Sequence, residues 1–289
     1  MRHQPAYRQI GIVGTGRVAR AMALALRRHS TAPVMLWGRN ASHMRAVADE
    51  MDGRTVESLS MLAMACDLVL IAVSDDALTD VVTALAPDRP VQKGIFVCHM
   101  SGRSGAAILA PLRDGGMLTA AVHPAMTFTG DPEQEVARMA GACFVITGDG
   151  PQATGAAERL VDVLGGVAEQ VEEAQRALYH AALCHAANHL VTLLAGSNDA
   201  LRAAGIAEPQ ALLAPLVRAA LENSLDRGFA ALSGPLLRGD EATIRDHLAA
   251  MTIDCPSLLS PYRAMARATL EQLTRAGHTV APGLETLLD

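Results

Sequence analysis

Aromatic side chains are scarce in this sequence: four Phe, three Tyr and one Trp make up 3% of 289 residues. With a formal net charge of −6, that scarcity argues against nucleic-acid binding, which wants basic patches and stacking platforms. Cysteine is thin as well. The five (Cys66, Cys98, Cys143, Cys184 and Cys255) are scattered with no C-x-x-C pair, and they read as reduced thiols in a reducing compartment. No apolar run reaches spanning length without a charge or polar break, and no charged cluster suggests a membrane surface. The first eight residues lack the apolar core of a secretory signal. These absences lead to the expectation of a cytoplasmic protein with neither nucleic-acid nor membrane partners.

What is present is apolar and small. Half the residues are hydrophobic, mostly Ala, Leu and Val, and the length allows two domains with a large core. The stretch Gln9–Leu26 carries the strongest signal. An apolar run, Ile10–Val13, has strand length; Gly14-Thr15-Gly16 then turns the chain, and Val18, Met22 and Leu26 fall on one face of a helix. This is the G-x-G-x-x-A form of a dinucleotide turn. Gly14 permits the tight bend, Gly16 leaves room for a pyrophosphate, and Ala19 lets helix and strand pack closely, with Thr15, Arg17 and Val18 lining the turn. The helix N-terminus adds free N–H groups and a partial positive charge.

The second strand, within Pro33–Asn40, ends in Gly38-Arg39-Asn40. In a NAD-binding fold an acidic residue stands there, roughly 20 residues past the glycines. An arginine with no carboxylate favours a 2′-phosphate, so NADP(H) is the expected cofactor, with Arg39 and Asn40 at its adenosine end. Otherwise Arg39 is a solvated loop residue. Ser42 is expected to cap a helix from His43 to Met51. The stretch Cys66–Asp76 reads as an apolar strand ending in polar residues, which brings Val73, Ser74 and Asp75 to the edge where ligands sit in doubly wound sheets, though Asp75 also reads as the cap of a helix beginning at Ala77. Gly94–Gly102 brings His99 and Ser101 to the same edge, and Met117–Pro124 brings His123. A strand at 142–147, a helix at 151–164 and a strand at 167–171 follow. The fold class expected is α/β, a doubly wound Rossmann-type sheet over residues 1–170, followed by an all-α domain over 171–289.

The second half reads as a long helix from about Glu173 to Ala204 and a helix from Pro209 to about Gly228, bent at Pro215. A Gly234–Asp240 loop leads to a helix ending near Met251, and Ser260-Pro261 starts the last long helix. Its apolar faces exceed what a small domain buries, so a homodimer is expected. On the long helix His180, Cys184 and Asn188 are spaced by four and share a face. If that face is buried its polar atoms need partners, and a substrate in a cleft is one candidate. There His180 would donate a proton and Asn188 orient a carbonyl. The alternative is a hydrogen-bonded pair inside a domain or interface. His123, His99 and Ser101 carry the same double reading. Arg238 could bind a carboxylate or stand solvated. His185 and His189 have the spacing of two metal ligands, but no carboxylate or cysteine pair completes a set, so no metal is expected. Met22, Met44, Met51, Met61 and Met64 read as core filler.

Taken together, these residues resemble a known family: the Rossmann-like oxidoreductases whose C-terminal half is called domain of unknown function 2520. They are distant relatives of pyrroline-5-carboxylate reductase, ketopantoate reductase and the 6-phosphogluconate and β-hydroxyacid dehydrogenases. The resemblance spans nearly the whole chain. It rests on Gly14-Thr-Gly16, Val73-Ser-Asp75, His99-Met-Ser-Gly102, His123-Pro124 with Phe128, Tyr179-His180 with Asn188, and Gly234-Pro through Arg238-Gly-Asp240. It implies an NADP-dependent reductase acting on a small oxo acid, ketopantoate-like, or an imine. One departure stands out. Where β-hydroxyacid dehydrogenases carry Lys-x-x-x-Asn on the interdomain helix, this chain has Cys184-x-x-x-Asn188 and so lacks the proton-donating lysine. That substitution keeps open a non-catalytic NADP(H)-binding sensor or scaffold.

Overall fold

The computed structural model describes residues 5–86 and 94–289. Its first unit is built on an eight-stranded sheet of order β3-β2-β1-β4-β5-β6-β7-β8. β1 (Ile10–Val13) leads through the glycine turn into α1 (Arg17–Leu26), and β2 (Met35–Trp37) leads into α2 (Ala41–Glu50). The short β3 (Arg54–Thr55) and α3 (Leu59–Ala65) precede β4 (Leu68–Ile71) and α4 (Asp75–Leu85). β5 (Phe96–His99), α5 (Ala110–Asp114), β6 (Leu118–Pro124), α6 (Pro132–Met139), β7 (Cys143–Gly148), α7 (Pro151–Leu164) and β8 (Val167–Gln170) complete it. Strands β1 to β6 pair in parallel, β7 runs antiparallel to β6, and β8 is parallel to β7.

Apolar residues alternate between the two faces of this sheet and so build two cores. Ile10, Ile12, Leu68, Leu70 and Phe96 pack with Met22 and Leu26 of α1 and Leu160 of α7. Val13, Val69, Ile71 and Val97 pack with Leu62 of α3 and Val82 of α4 on the opposite face. Because strands buried on both faces need no polar alternation, β1 and β4 read as continuous apolar runs. The parallel register brings the carboxyl ends of β1, β4, β5 and β6 to one edge, with Ile71 opposite His99 and His99 opposite Ala121.

Helices follow from Arg176 onward: α8 (Arg176–Ala203), α9 (Pro209–Arg227), the single turn α10 (Pro235–Arg238), α11 (Glu241–Asp254), α12 (Pro256–Arg275) and α13 (Pro282–Leu288). Contact density divides the chain into Met1–Cys184 and His185–Asp289. The second unit has its own core, in which Ile244 and Leu248 of α11, Leu270 and Leu273 of α12, and Leu284 and Leu288 of α13 meet. No helix of the described residues is long and apolar enough to cross a membrane.

Four local expectations need correction. Asn40, not Ser42, caps α2: its Oδ1 accepts the His43 N–H at 2.9 Å and the Ser42 hydroxyl at 2.7 Å, since Asn reaches the third N–H from the residue just before the helix. Helix α4 begins at Asp75, with Ser74 as the residue before it, so Asp75 lies inside the first turn and does not cap a helix from Ala77. Pro261 lies inside α12, which starts five residues earlier at Pro256. Met61 and Met64 are exposed, the latter by 77%, whereas Met22, Met44 and Met51 are buried. On the short α3 the apolar face is carried by Leu59, Leu62 and Ala63, which leaves the methionines outside.

Candidate active site

At the carboxyl edge of β1 the chain makes an open cradle. Gly14 adopts φ +122°, and a Cβ there would collide with the Ala72 carbonyl, so only glycine keeps β1 against β4 at this bend. A Cβ at Gly16 would meet nothing within 4 Å. The space over that glycine is free, and α1 starts there with no side-chain cap, leaving its first N–H groups available to an anion. Gly38 serves the neighbouring loop. A Cβ there would sit 2.7 Å from the Thr15 methyl, so glycine lets the turn after β2 close on the turn after β1. The closure brings exposed His43 to Thr15, whose hydroxyl lies 3.3 Å from His43 Nδ1, and leaves Arg39 exposed in the same turn. Arg17 bridges outward, its Nη1 donating to the Phe128 carbonyl at 3.3 Å.

Next along the same edge stands a cluster of imidazole and phenol groups. His99, fully buried at the end of β5, faces Gly105 O through Nε2 at 2.9 Å and accepts the Ser101 N–H on Nδ1 at 3.1 Å. The acceptor role of Nδ1 leaves the hydrogen on Nε2, which donates to the carbonyl. Burial holds its pKa down to about 4, so it is a neutral strut for the 101–105 loop. Within that loop Ser101 Oγ accepts the Ser104 N–H at 3.2 Å. Gly102 then forms a floor, for a Cβ there would collide with His180 Cδ2 and lie 2.9 Å from His123 Nε2. His123, at the end of β6, reaches Tyr179 with Nδ1 2.7 Å from the phenol oxygen. His180 stands edge-on to the His123 ring, with centroids 5.7 Å apart. Burial first, then His180 and Arg176, hold the His123 pKa near 4, while burial pushes Tyr179 up to about 12 against the pull of Arg176. His123 is therefore an uncharged imidazole at neutral pH, hydrogen-bonded to a phenol.

Beneath the cluster, Arg176 is fully buried; its Nη2 donates to Ser101 O at 2.9 Å and its Nη1 to Thr147 Oγ1 at 3.0 Å. Asp75 does not join: it pairs with Arg103 at 3.4 Å on the rim. Cys184 Sγ lies 3.8 Å from His180 Nε2. Chemically, the cluster can hold or pass a proton at this edge of the sheet, with no carboxylate hydrogen-bonded within it among the described residues.

Residues 142–269 match the family model "Domain of unknown function (DUF2520)" and residues 2–124 match a Rossmann-like domain. The two matches follow one another along the chain, the Rossmann-like one first and the DUF2520 one second. Solved structures share its fold. A Bacteroides fragilis protein designated an NADP oxidoreductase is 19% identical, with 91% of this chain and 98% of that chain covered and a TM-score of 0.75. A reductive aminase from Aspergillus terreus, in complex with NADPH and ethyl-5-oxohexanoate, is 18% identical over 96% and 97% of the two chains, at TM-score 0.70. An imine reductase from Myxococcus stipitatus, in complex with NADP+, is 16% identical over 97% and 100%, at 0.65. No curated protein matches the sequence significantly.

Within the first unit, then, Ser101, His123 and His180 come together, and Tyr179 and Arg176 join them. Asn188 lies two turns further along α8, its carbonyl accepting the Thr192 hydroxyl at 3.5 Å. His185 and His189 face each other with Nδ1 atoms 3.0 Å apart. Among the described residues no group of three or more His, Cys, Asp or Glu is placed to hold a metal ion. Sequence reasoning passed over Arg176. Nothing in the sequence pairs it with the strand-end histidines, because it binds Ser101 across 75 positions.

Proposed function

We propose that the protein is an NADP(H)-dependent reductase of a small carbonyl or imine compound. One observation carries the reading: an open glycine cradle and a His123–Tyr179–His180 cluster share one edge of the sheet. The cradle fits a dinucleotide because the space over Gly16 is free and the start of α1 is uncapped. Arg39, in a turn without acid, fits a 2′-phosphate. When bound, the nicotinamide supplies a hydride. The protein's part is to hold the substrate and deliver a proton to its oxygen or nitrogen, a task for Tyr179, His123 or His180. Such groups supply what the lysine replaced by Cys184 would do, and this favours an enzyme over a sensor. Asn188, on the helix face of His180 and Cys184, is assigned a substrate-orienting role. A ketopantoate-like oxo acid is the preferred substrate, by resemblance alone.

The same reading makes the protein a homodimer. Helix α8 buries only Arg176 of its 28 residues, and α9 only Pro209 of 19, while Val191 and Leu225 stand 69% and 77% exposed. Faces of this kind call for a second copy.

The test is fluorescence titration with NADPH and NADH, then NADPH oxidation across oxo acids and cyclic imines. Tighter binding of NADPH is expected. Arg39→Asp should invert the preference, since a charge-assisted phosphate contact becomes a repulsion worth on the order of 1–3 kcal/mol. Equal affinity for both cofactors in the unmodified protein refutes the assignment to NADP(H).

A further inference from the structure

Arg176 is a buried cation that forms no ion pair among the described residues, with Glu173 acting on it only from a distance. Its guanidinium is wholly removed from solvent, and the partners it does have are neutral oxygens: Thr147 Oγ1 at 3.0 Å, Val145 O at 3.5 Å and Ser101 O at 2.9 Å. Its Nε has no partner. Among the described residues no carboxylate forms an ion pair with it. The nearby acid, Glu173, is turned to the Ala107 N–H at 3.2 Å. Burying an unpaired charge is unfavourable, and an apolar side chain of similar size would pack there at less cost. A structural explanation therefore falls short. What the charge does touch is the proton cluster: its Cζ lies 5.8 Å from the Tyr179 ring centroid, over the residue bound to His123.

We propose that Arg176 is a positioning residue whose charge adds to burial in disfavouring a His123 imidazolium and eases the Tyr179 hydroxyl toward giving up its proton. This rests on reading the cluster as the proton source of the site. A positive charge beside the pair disfavours an imidazolium and favours a phenolate. It likewise steadies the phenolate that Tyr179 becomes as its O–H proton passes to a substrate oxygen. The other charges nearby do not replace it. Asp75 acts on His123 in the opposite sense and is held by Arg103. His99 is neutral and committed to its own loop. His180 meets His123 edge-on, and Cys143 lies toward the Tyr179 side. Burial and His180 also hold His123 down, with Arg176 adding to both.

The experiment is an NMR titration of the His123 ring, identified by its loss in His123→Asn, in the full chain without substrate. In the unmodified protein His123 should stay neutral to about pH 4. Arg176→Lys keeps the charge and should leave the midpoint low. Arg176→Gln should raise it by about 1 unit, the size of one neighbouring charge. A folded Arg176→Gln protein whose midpoint stays within about 0.2 units of the unmodified one overturns the proposal. If that variant does not fold, the unmodified protein and Arg176→Lys decide: a His123 midpoint near the ordinary 6.5 in either overturns it equally. NADPH binding measured alongside separates the two readings, because its loss with His123 still neutral removes the reductase and leaves the role of Arg176 standing.

Discussion

His99 binds acid stability to the site loop. Its ring is fully buried and both nitrogens are used by the 101–105 loop, so the native state refuses a proton until about pH 4. The unfolded chain takes that proton near 6.5. Between these values the unfolded state binds more protons, so the contribution of His99 is complete above 6.5 and is lost as pH falls toward 4. The full shift corresponds to on the order of 3 kcal/mol. His123 acts in the same direction. Urea unfolding at pH 7, 5.5 and 4 should show the loss, and His99→Gln should flatten the slope at some cost at pH 7. An unchanged slope in that variant would show that the acid sensitivity lies elsewhere. The role of His99 as a strut was invisible in the sequence, where a histidine at a strand end looks the same whether it faces a substrate or a carbonyl six residues on.

Among the elements, the β1–turn–α1 unit was the most legible, because its signal is written in consecutive residues. The run Ile10–Val13, the glycines and the face of Met22 and Leu26 mark strand, turn and helix one after another, even though Gly14 also answers to Ala72 across the sheet. Substituting Gly14 by Ala should test the unit directly. Its φ of +122° and the Ala72 carbonyl behind it leave no room for a Cβ, so the turn must open. NADPH affinity is expected to fall at least about tenfold, with a loss of roughly 1–3 kcal/mol in stability. An alanine variant that binds NADPH normally would mean that the cofactor is held elsewhere. Element ends were less legible. At α2 and α4 several Ser, Asn and Asp residues compete for the capping position, and the sequence offers each of them. Pro261 was read as a helix start because proline lacks the N–H an interior position needs, yet Pro256, already in place as the first residue of α12, meets that rule better.

For the whole molecule, the α/β first half and helical second half follow from the change of texture near residue 172, since a switch from strand-length apolar runs to long helical periodicity leaves few architectures. The association state did not follow from the sequence in the same way, because exposed leucines are common and become informative only when they line a face. Light scattering at micromolar concentration should give a dimer mass, and Leu225→Glu, at an exposed point of α9, should shift it toward the monomer. A monomer in the unmodified protein removes the second copy from the proposal. The cluster was legible in its histidines but not in its assembly: His123 and Tyr179 stand 56 positions apart, and no spacing rule joins a strand end to a helix start at that distance. Gly102, the floor beneath their rings, has a genetic consequence. Every missense change at that codon adds a Cβ where the His123 and His180 rings stand, so no nucleotide substitution that alters the residue is conservative. Selection on turnover would see all of them alike, while the turn at Gly14 and Gly16 stayed intact.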